Sequence, residues 1–199
     1  MKVFVNLLSI FRIIASFAMI PILMFGLYKT AFIVFVLAAL SDWFDGFFAR
    51  KYNVCTKLGG VMDHIGDKLL VAITLIMLSS LMPIWFIVVP IILMIARELY
   101  ISGLREFLGT QKMEMPVPKA RFSMGKIKTT LQMISICAFL LLFALGNFVL
   151  SGDAGQTTVY LIALLPQIGI WGLWLSLLAS IWSATQYTIT FAEKLKKIK

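Results

Sequence analysis

"SDWFDGFFARKYNVCTKLGGVMDHIGDKLL", residues 41–70, sets four aspartates, Asp42, Asp45, Asp63 and Asp67, inside an otherwise apolar stretch. The surrounding chain makes that placement costly. Of its 199 residues, 61% are hydrophobic and 14% charged, and the mean hydropathy is +0.97. Soluble domains hold only about half apolar residues. The chain therefore reads as an all-α integral membrane protein, a single domain over residues 1–199.

Apolar runs of about 20 residues cross the hydrocarbon core as helices. Six such runs are legible: 6–27, 31–50, 59–81, 83–108, 125–150 and 159–191. The link at Met82-Pro83 is so short that the third and fourth runs form an antiparallel hairpin. Lys2 ahead of the first run imitates a signal peptide, but Arg12 interrupts the run, so it reads as a retained first helix. Cys55 and Cys137 lack metal-ligand spacing and read as free thiols.

Charge sets the expected orientation. With the N-terminus inside, the outer connections carry little beyond Lys29 and Asp153. The inner side receives Lys2, Arg50, Lys51, Lys57, Arg105, Lys112, Lys119, Arg121, Lys126, Lys128 and the C-terminal lysines. Cytoplasmic loops of membrane proteins carry this excess of Lys and Arg, so both termini are expected in the cytoplasm. The net charge of +9 then reflects topology and attraction to anionic headgroups. Nucleic-acid binding would need a basic aqueous domain, and the sequence reads without one.

Asp42, Asp45, Gly46 and Ala49 recur at i, i+3, i+4 and i+7, one face of a helix; Gly59, Asp63 and Asp67 recur at i, i+4 and i+8, again one face. Asp42 precedes Arg50 by about 12 Å of helix, and Asp67 follows Lys57 by about 15 Å. In an antiparallel pair the two acidic faces meet at one level, in the cytoplasmic half of the membrane. Each charged side chain near the centre of a span costs about 2.5–3.5 kcal/mol. Either some of the four are protonated, as in a relay, or cations neutralise them. Oxygen-only ligands favour hard ions such as Mg²⁺ or Mn²⁺, and two divalent cations match four carboxylates. Gly46, Ala49 and Gly59 favour the second answer. They clear space for a bulky ligand against the backbone, although close helix packing also uses small residues. Arg50, one turn on, suits a phosphate. A cation or proton transporter, the competing class, would spread acids across the membrane depth, whereas these crowd one level.

Asp42, Asp45, Gly46, Ala49, Arg50, Gly59, Asp63 and Asp67 spell D-x2-D-G-x2-A-R-x8-G-x3-D-x3-D. This resembles the signature of the CDP-alcohol phosphotransferases. The resemblance implies six transmembrane helices, usually a homodimer, and transfer of a phosphatidyl-type group from a CDP-linked donor to an alcohol with release of CMP. It implies metal ligation by Asp42, Asp45, Asp63 and Asp67, with Asp67 also the general base. Asn6, Asp42, Gly46, Ala49, Arg50 and Gly59 would bind the CDP donor, with Arg12 a lesser candidate. "NLLSIFR", "ARELYISGLRE" and "GKIKTTLQM" resemble the bacterial branch that joins CDP-diacylglycerol to sn-glycerol 3-phosphate at the plasma membrane. Other acceptors in the family include serine and inositol phosphate. Arg97, Arg105, Lys126 and Lys128, with Tyr187 closing the pocket, are the expected contacts of the acceptor's phosphate; Glu98 and Glu106 would pair with these bases. Relatives commonly have proline after the third aspartate, where this chain has His64.

Overall fold

The computed structural model describes residues 2–52, 57–110, 124–150 and 156–196. Side chains are described there except at 2–6, 42–52, 57–59, 63, 124, 126, 147–150, 156, 157, 159, 194 and 196. Among the described residues the chain is wholly helical: α1 Lys2–Met24, α2 Tyr28–Tyr52, α3 Lys57–Leu81, α4 Trp85–Thr110, α5 Met124–Leu150 and α6 Gln156–Lys196. Each apolar run corresponds to one helix, although residues 25–27 of the first run and 83–84 of the fourth lie outside α1 and α4.

Judged on the described residues alone, α1, α4, α5 and α6 are long and apolar enough to cross a membrane. In α2 the described apolar stretch is Tyr28–Ser41. The reversal from α1 to α2 is a glycine cap. Gly26 has φ 70°, its N–H donates to the Leu23 carbonyl (3.1 Å), and the Leu27 N–H donates to the Ile22 carbonyl (3.0 Å). This Schellman arrangement satisfies helix-end carbonyls and needs a residue free to adopt left-handed φ. α3 ends before Pro83, which cannot continue it. α3 and α4 are thereby antiparallel neighbours, as the short link predicts, yet α4 packs more heavily on α6.

The core draws on all six helices, around Met19, Phe35, Leu70, Leu78, Ile91, Phe139 and Leu173. Several buried hydroxyls are satisfied within their own helices: Ser16 donates to the Arg12 carbonyl (2.7 Å) and Thr74 to the Leu70 carbonyl (2.7 Å). This i−4 bonding lets hydroxyls sit in an apolar interior. Others tie helices together. Ser176 of α6 donates to the Lys128 carbonyl of α5 (3.0 Å), and Trp174 Nε1 of α6 donates to the Phe86 carbonyl of α4 (3.0 Å).

Candidate active site

α2 and α3 carry the acidic signature, and both are helical through it, so the one-face spacing holds for the backbone. The side chains of Asn6, Asp42, Asp45, Gly46, Ala49, Arg50, Gly59, Asp63 and Lys126 lie outside the described residues. Asp67 is described. Its carboxylate pairs with the Arg12 guanidinium of α1. Arg12 has no exposed side-chain surface, while Asp67 keeps 36% of its own. A buried guanidinium needs a counter-ion, because an uncompensated charge costs several kcal/mol. About a third of the Asp67 side chain stays exposed beside this pair.

Gly66 lets α1 come close beside this pair. A Cβ there would lie 3.4 Å from Arg12 Cβ and 3.6 Å from the Ser9 carbonyl oxygen. Consecutive helical residues point about 100° apart. With Asp67 turned to α1, the next residue, Lys68, turns to α4. Lys68 Nζ donates to Ser102 Oγ (2.9 Å) and lies 3.5 Å from Glu98 Oε1.

Glu98 is the hub of a second ionic cluster. Its Oε2 accepts from Arg97 Nη1 (3.0 Å) and from Lys128 Nζ of α5 (2.5 Å). Arg97 also donates through Nε to the Ser180 carbonyl (3.1 Å) and through Nη2 to Ser183 Oγ (3.1 Å), both on α6. Three helices therefore meet at one carboxylate, and Arg97 ties a fourth, α6, to it. Arg97 and Lys128, two of the expected acceptor contacts, are thus brought together.

Arg105 is placed apart from them. It lies about 12 Å further along α4 than Arg97. Its Nη2 donates to the Tyr187 hydroxyl (3.2 Å), and its guanidinium sits 5.2 Å from the centre of the Tyr187 ring. Arg97 and Arg105 do share a face, as eight-residue spacing predicts, but that face is turned to α6. Glu98 pairs with the bases as expected. Lys68 escaped the sequence reading, although a lysine directly after the last aspartate is a signal in itself. Ser180 and Ser183 were also missed; hydroxyls in a span are common, and nothing in the chain marks these two. His64 is exposed on α3.

A family model described as CDP-alcohol phosphatidyltransferase matches residues 2–182. A Rickettsia bellii protein is 39% identical over 165 residues, covering 79% of this chain and 82% of its own. An Escherichia coli K12 protein is 40% identical over 138 residues, covering 66% of this chain and 72% of its own. A Salmonella choleraesuis protein is 38% identical over a similar share. All three are named CDP-diacylglycerol–glycerol-3-phosphate 3-phosphatidyltransferase.

Proposed function

This chain belongs to the CDP-alcohol phosphatidyltransferase family, and from that premise we propose that it transfers the phosphatidyl group of CDP-diacylglycerol to sn-glycerol 3-phosphate. The products are phosphatidylglycerophosphate and CMP, so the enzyme serves phospholipid biosynthesis. The observation that carries this reading is the complete acidic signature, from Asp42 to Asp67, on two helices of a chain about 40% identical to relatives named for that reaction.

The acceptor hydroxyl attacks the phosphatidyl phosphorus. A new P–O bond forms, the pyrophosphate bond breaks, and CMP leaves. Asp67 takes the hydroxyl proton; its partial exposure supports that role, and Arg12 pairs with it. The carboxylates of Asp42, Asp45, Asp63 and Asp67 are an all-oxygen donor set suited to two Mg²⁺ or Mn²⁺ ions. When bound, those ions would neutralise the pyrophosphate and the charge on departing CMP. Gly46, Ala49 and Gly59 clear the backbone for cytidine and pyrophosphate, with Asn6 and Arg50 at the donor phosphates. Arg97 and Lys128, gathered at Glu98, and Lys126 supply the contacts for the acceptor's phosphate, while Arg105 and Tyr187 pair further along α4.

All six helices cross the bacterial plasma membrane in this reading, with both termini and the acidic level on the cytoplasmic side. The enzyme works as a homodimer. The test is purified protein with CDP-diacylglycerol, Mg²⁺ or Mn²⁺, and a panel of acceptors, with CMP release measured. Glycerol 3-phosphate is expected to drive release. Equal rates with serine, inositol phosphate or free glycerol would overturn the acceptor assignment.

A further inference from the structure

We infer that Lys68 is a contact for the phosphate of a phosphate-monoester acceptor, and that Glu98 is the positioning residue that gathers Lys68, Arg97 and Lys128 into its seat. This deepens the acceptor side of the proposed function and rests on it.

Charge comes first. Lys68, Arg97 and Lys128 bring three positive charges to the single carboxylate of Glu98. Three minus one leaves a surplus of two, which equals the charge of a phosphate-monoester dianion. A neutral alcohol would leave that surplus unmatched.

Access comes second. The side chains of Arg97 and Lys128 are 10% and 8% exposed, so they form the floor of the cluster. Those of Lys68 and Glu98 are 31% and 32% exposed, so they form its open side. An incoming phosphate therefore meets Lys68 first. Lys68 is also the cation Glu98 holds least closely, at 3.5 Å against 3.0 Å for Arg97 and 2.5 Å for Lys128, and its other partner is the neutral Ser102 hydroxyl. It can swing to a ligand while Glu98 keeps the other two in place.

Position comes third. Lys68 directly follows Asp67 on α3. A phosphate held by Lys68 sits beside the carboxylate that takes the acceptor's proton, with about one quarter of a helical turn between them. The Arg105–Tyr187 pair lies about 12 Å down α4 from Arg97, too far to touch the same phosphate.

The test is equilibrium binding of glycerol 3-phosphate, and separately of CDP-diacylglycerol, to full-length protein in detergent. CMP release is measured in parallel. Lys68→Met should weaken glycerol 3-phosphate binding at least about tenfold, the scale of one charged hydrogen bond, and change donor binding less than about twofold. Lys68→Arg should recover most of the loss. Glu98→Asp keeps the charge but draws the carboxylate back by about 1.5 Å. It should weaken glycerol 3-phosphate selectively, which a general loss of folding would not do. Unchanged binding in Lys68→Met overturns the inference, as does a larger loss in Arg105→Lys than in Lys68→Met. So does wild-type protein that binds no glycerol 3-phosphate. Wild-type protein that binds glycerol 3-phosphate through Lys68 yet releases no CMP would leave the seat standing and overturn the proposed reaction.

Discussion

Arg12 carries a full charge with none of its side chain exposed, and the carboxylate that balances it is Asp67, 55 residues away in the chain. That pairing gives Asp67 two duties, counter-ion and base, which substitution can separate. Asp67→Asn should lower the rate of CMP release at least about a hundredfold, the usual reach of a general base. It should also destabilise the protein by about 2–3 kcal/mol. That is below the about 3–5 kcal/mol of a fully buried pair, because Asp67 is 36% exposed. Adding Arg12→Met removes the charge that lost this partner, so the double variant should be more stable than Asp67→Asn alone and remain inactive. A double variant as unstable as the single one would mean that the ion pair does not hold Arg12. Replacing Asp42, Asp45 or Asp63 by Asn should abolish activity, and excess EDTA should do the same to the wild type. Full activity in EDTA contradicts metal dependence. At this scale the sequence was half legible. Spacing along one helix exposes a shared face, so the acidic signature could be read directly. Pairing between helices has no period, so Arg12 looked like an interruption of an apolar run. Its one available signal was the cost of a mid-span charge, which demands a partner.

Between elements, two glycines decide how α6 meets α5. A Cβ at Gly169 would lie 2.6 Å from Phe139 Cζ, and one at Gly172 would strike Ser135 Oγ. Phe139 is fully buried in the core, so its ring has nowhere to retreat. Gly169→Ala should cost about 1–3 kcal/mol, the range for overpacking a filled interior. Gly103 of α4 offers the contrast, since a Cβ there meets nothing within 4 Å. Gly103→Ala should therefore stabilise by up to about 1 kcal/mol through helix propensity alone. Thermal unfolding of the two purified variants checks both signs, and a Gly169→Ala protein as stable as the wild type would show that this contact is slack. The helices themselves were readable to within a few residues, since apolar length and breaks at Gly26 and Pro83 are local features. Their neighbours were less so. A short link does make α3 and α4 adjacent, but α4 rests chiefly on α6, through Trp174 to Phe86 and Arg97 to Ser180 and Ser183. Those contacts depend on which faces two distant helices present, and near-uniform apolarity in a span conceals that choice.

For the molecule as a whole, length against membrane thickness sets the topology. α6 has 41 residues, about 61 Å of helix, against a hydrocarbon core of about 30 Å. Ordinary tilts of about 20° absorb only a few ångströms, so nearly half of α6 lies beyond the hydrocarbon. Its polar residues Ser183, Thr185, Gln186, Thr188, Thr190 and Glu193 crowd the C-terminal part, where Tyr187 meets Arg105. In the proposed topology that end lies with the lysine-rich tail on the cytoplasmic side. The harder question is whether α2 and α3 cross. If only the four long apolar helices did so, the number of crossings would still be even and the termini would still share a side. Terminal tags therefore cannot distinguish the two arrangements. α2 has 25 residues, about 38 Å, which is enough to cross. A crossing puts the acidic level inside the inner half of the membrane and the link between Tyr52 and Lys57 in the cytoplasm, flanked by Arg50, Lys51 and Lys57 as such links are. Cys55 lies in that link. In a Cys137→Ala background, a membrane-impermeant thiol reagent should label Cys55 in inside-out vesicles and fail to do so in intact cells. The converse background, Cys55→Ala, should stay unlabelled from either side, because Cys137 is half-buried within α5. Labelling of Cys55 from outside, or from neither side while detergent exposes it, would mean that α2 and α3 enter the membrane without crossing, and would leave the acidic level without a cytoplasmic mouth.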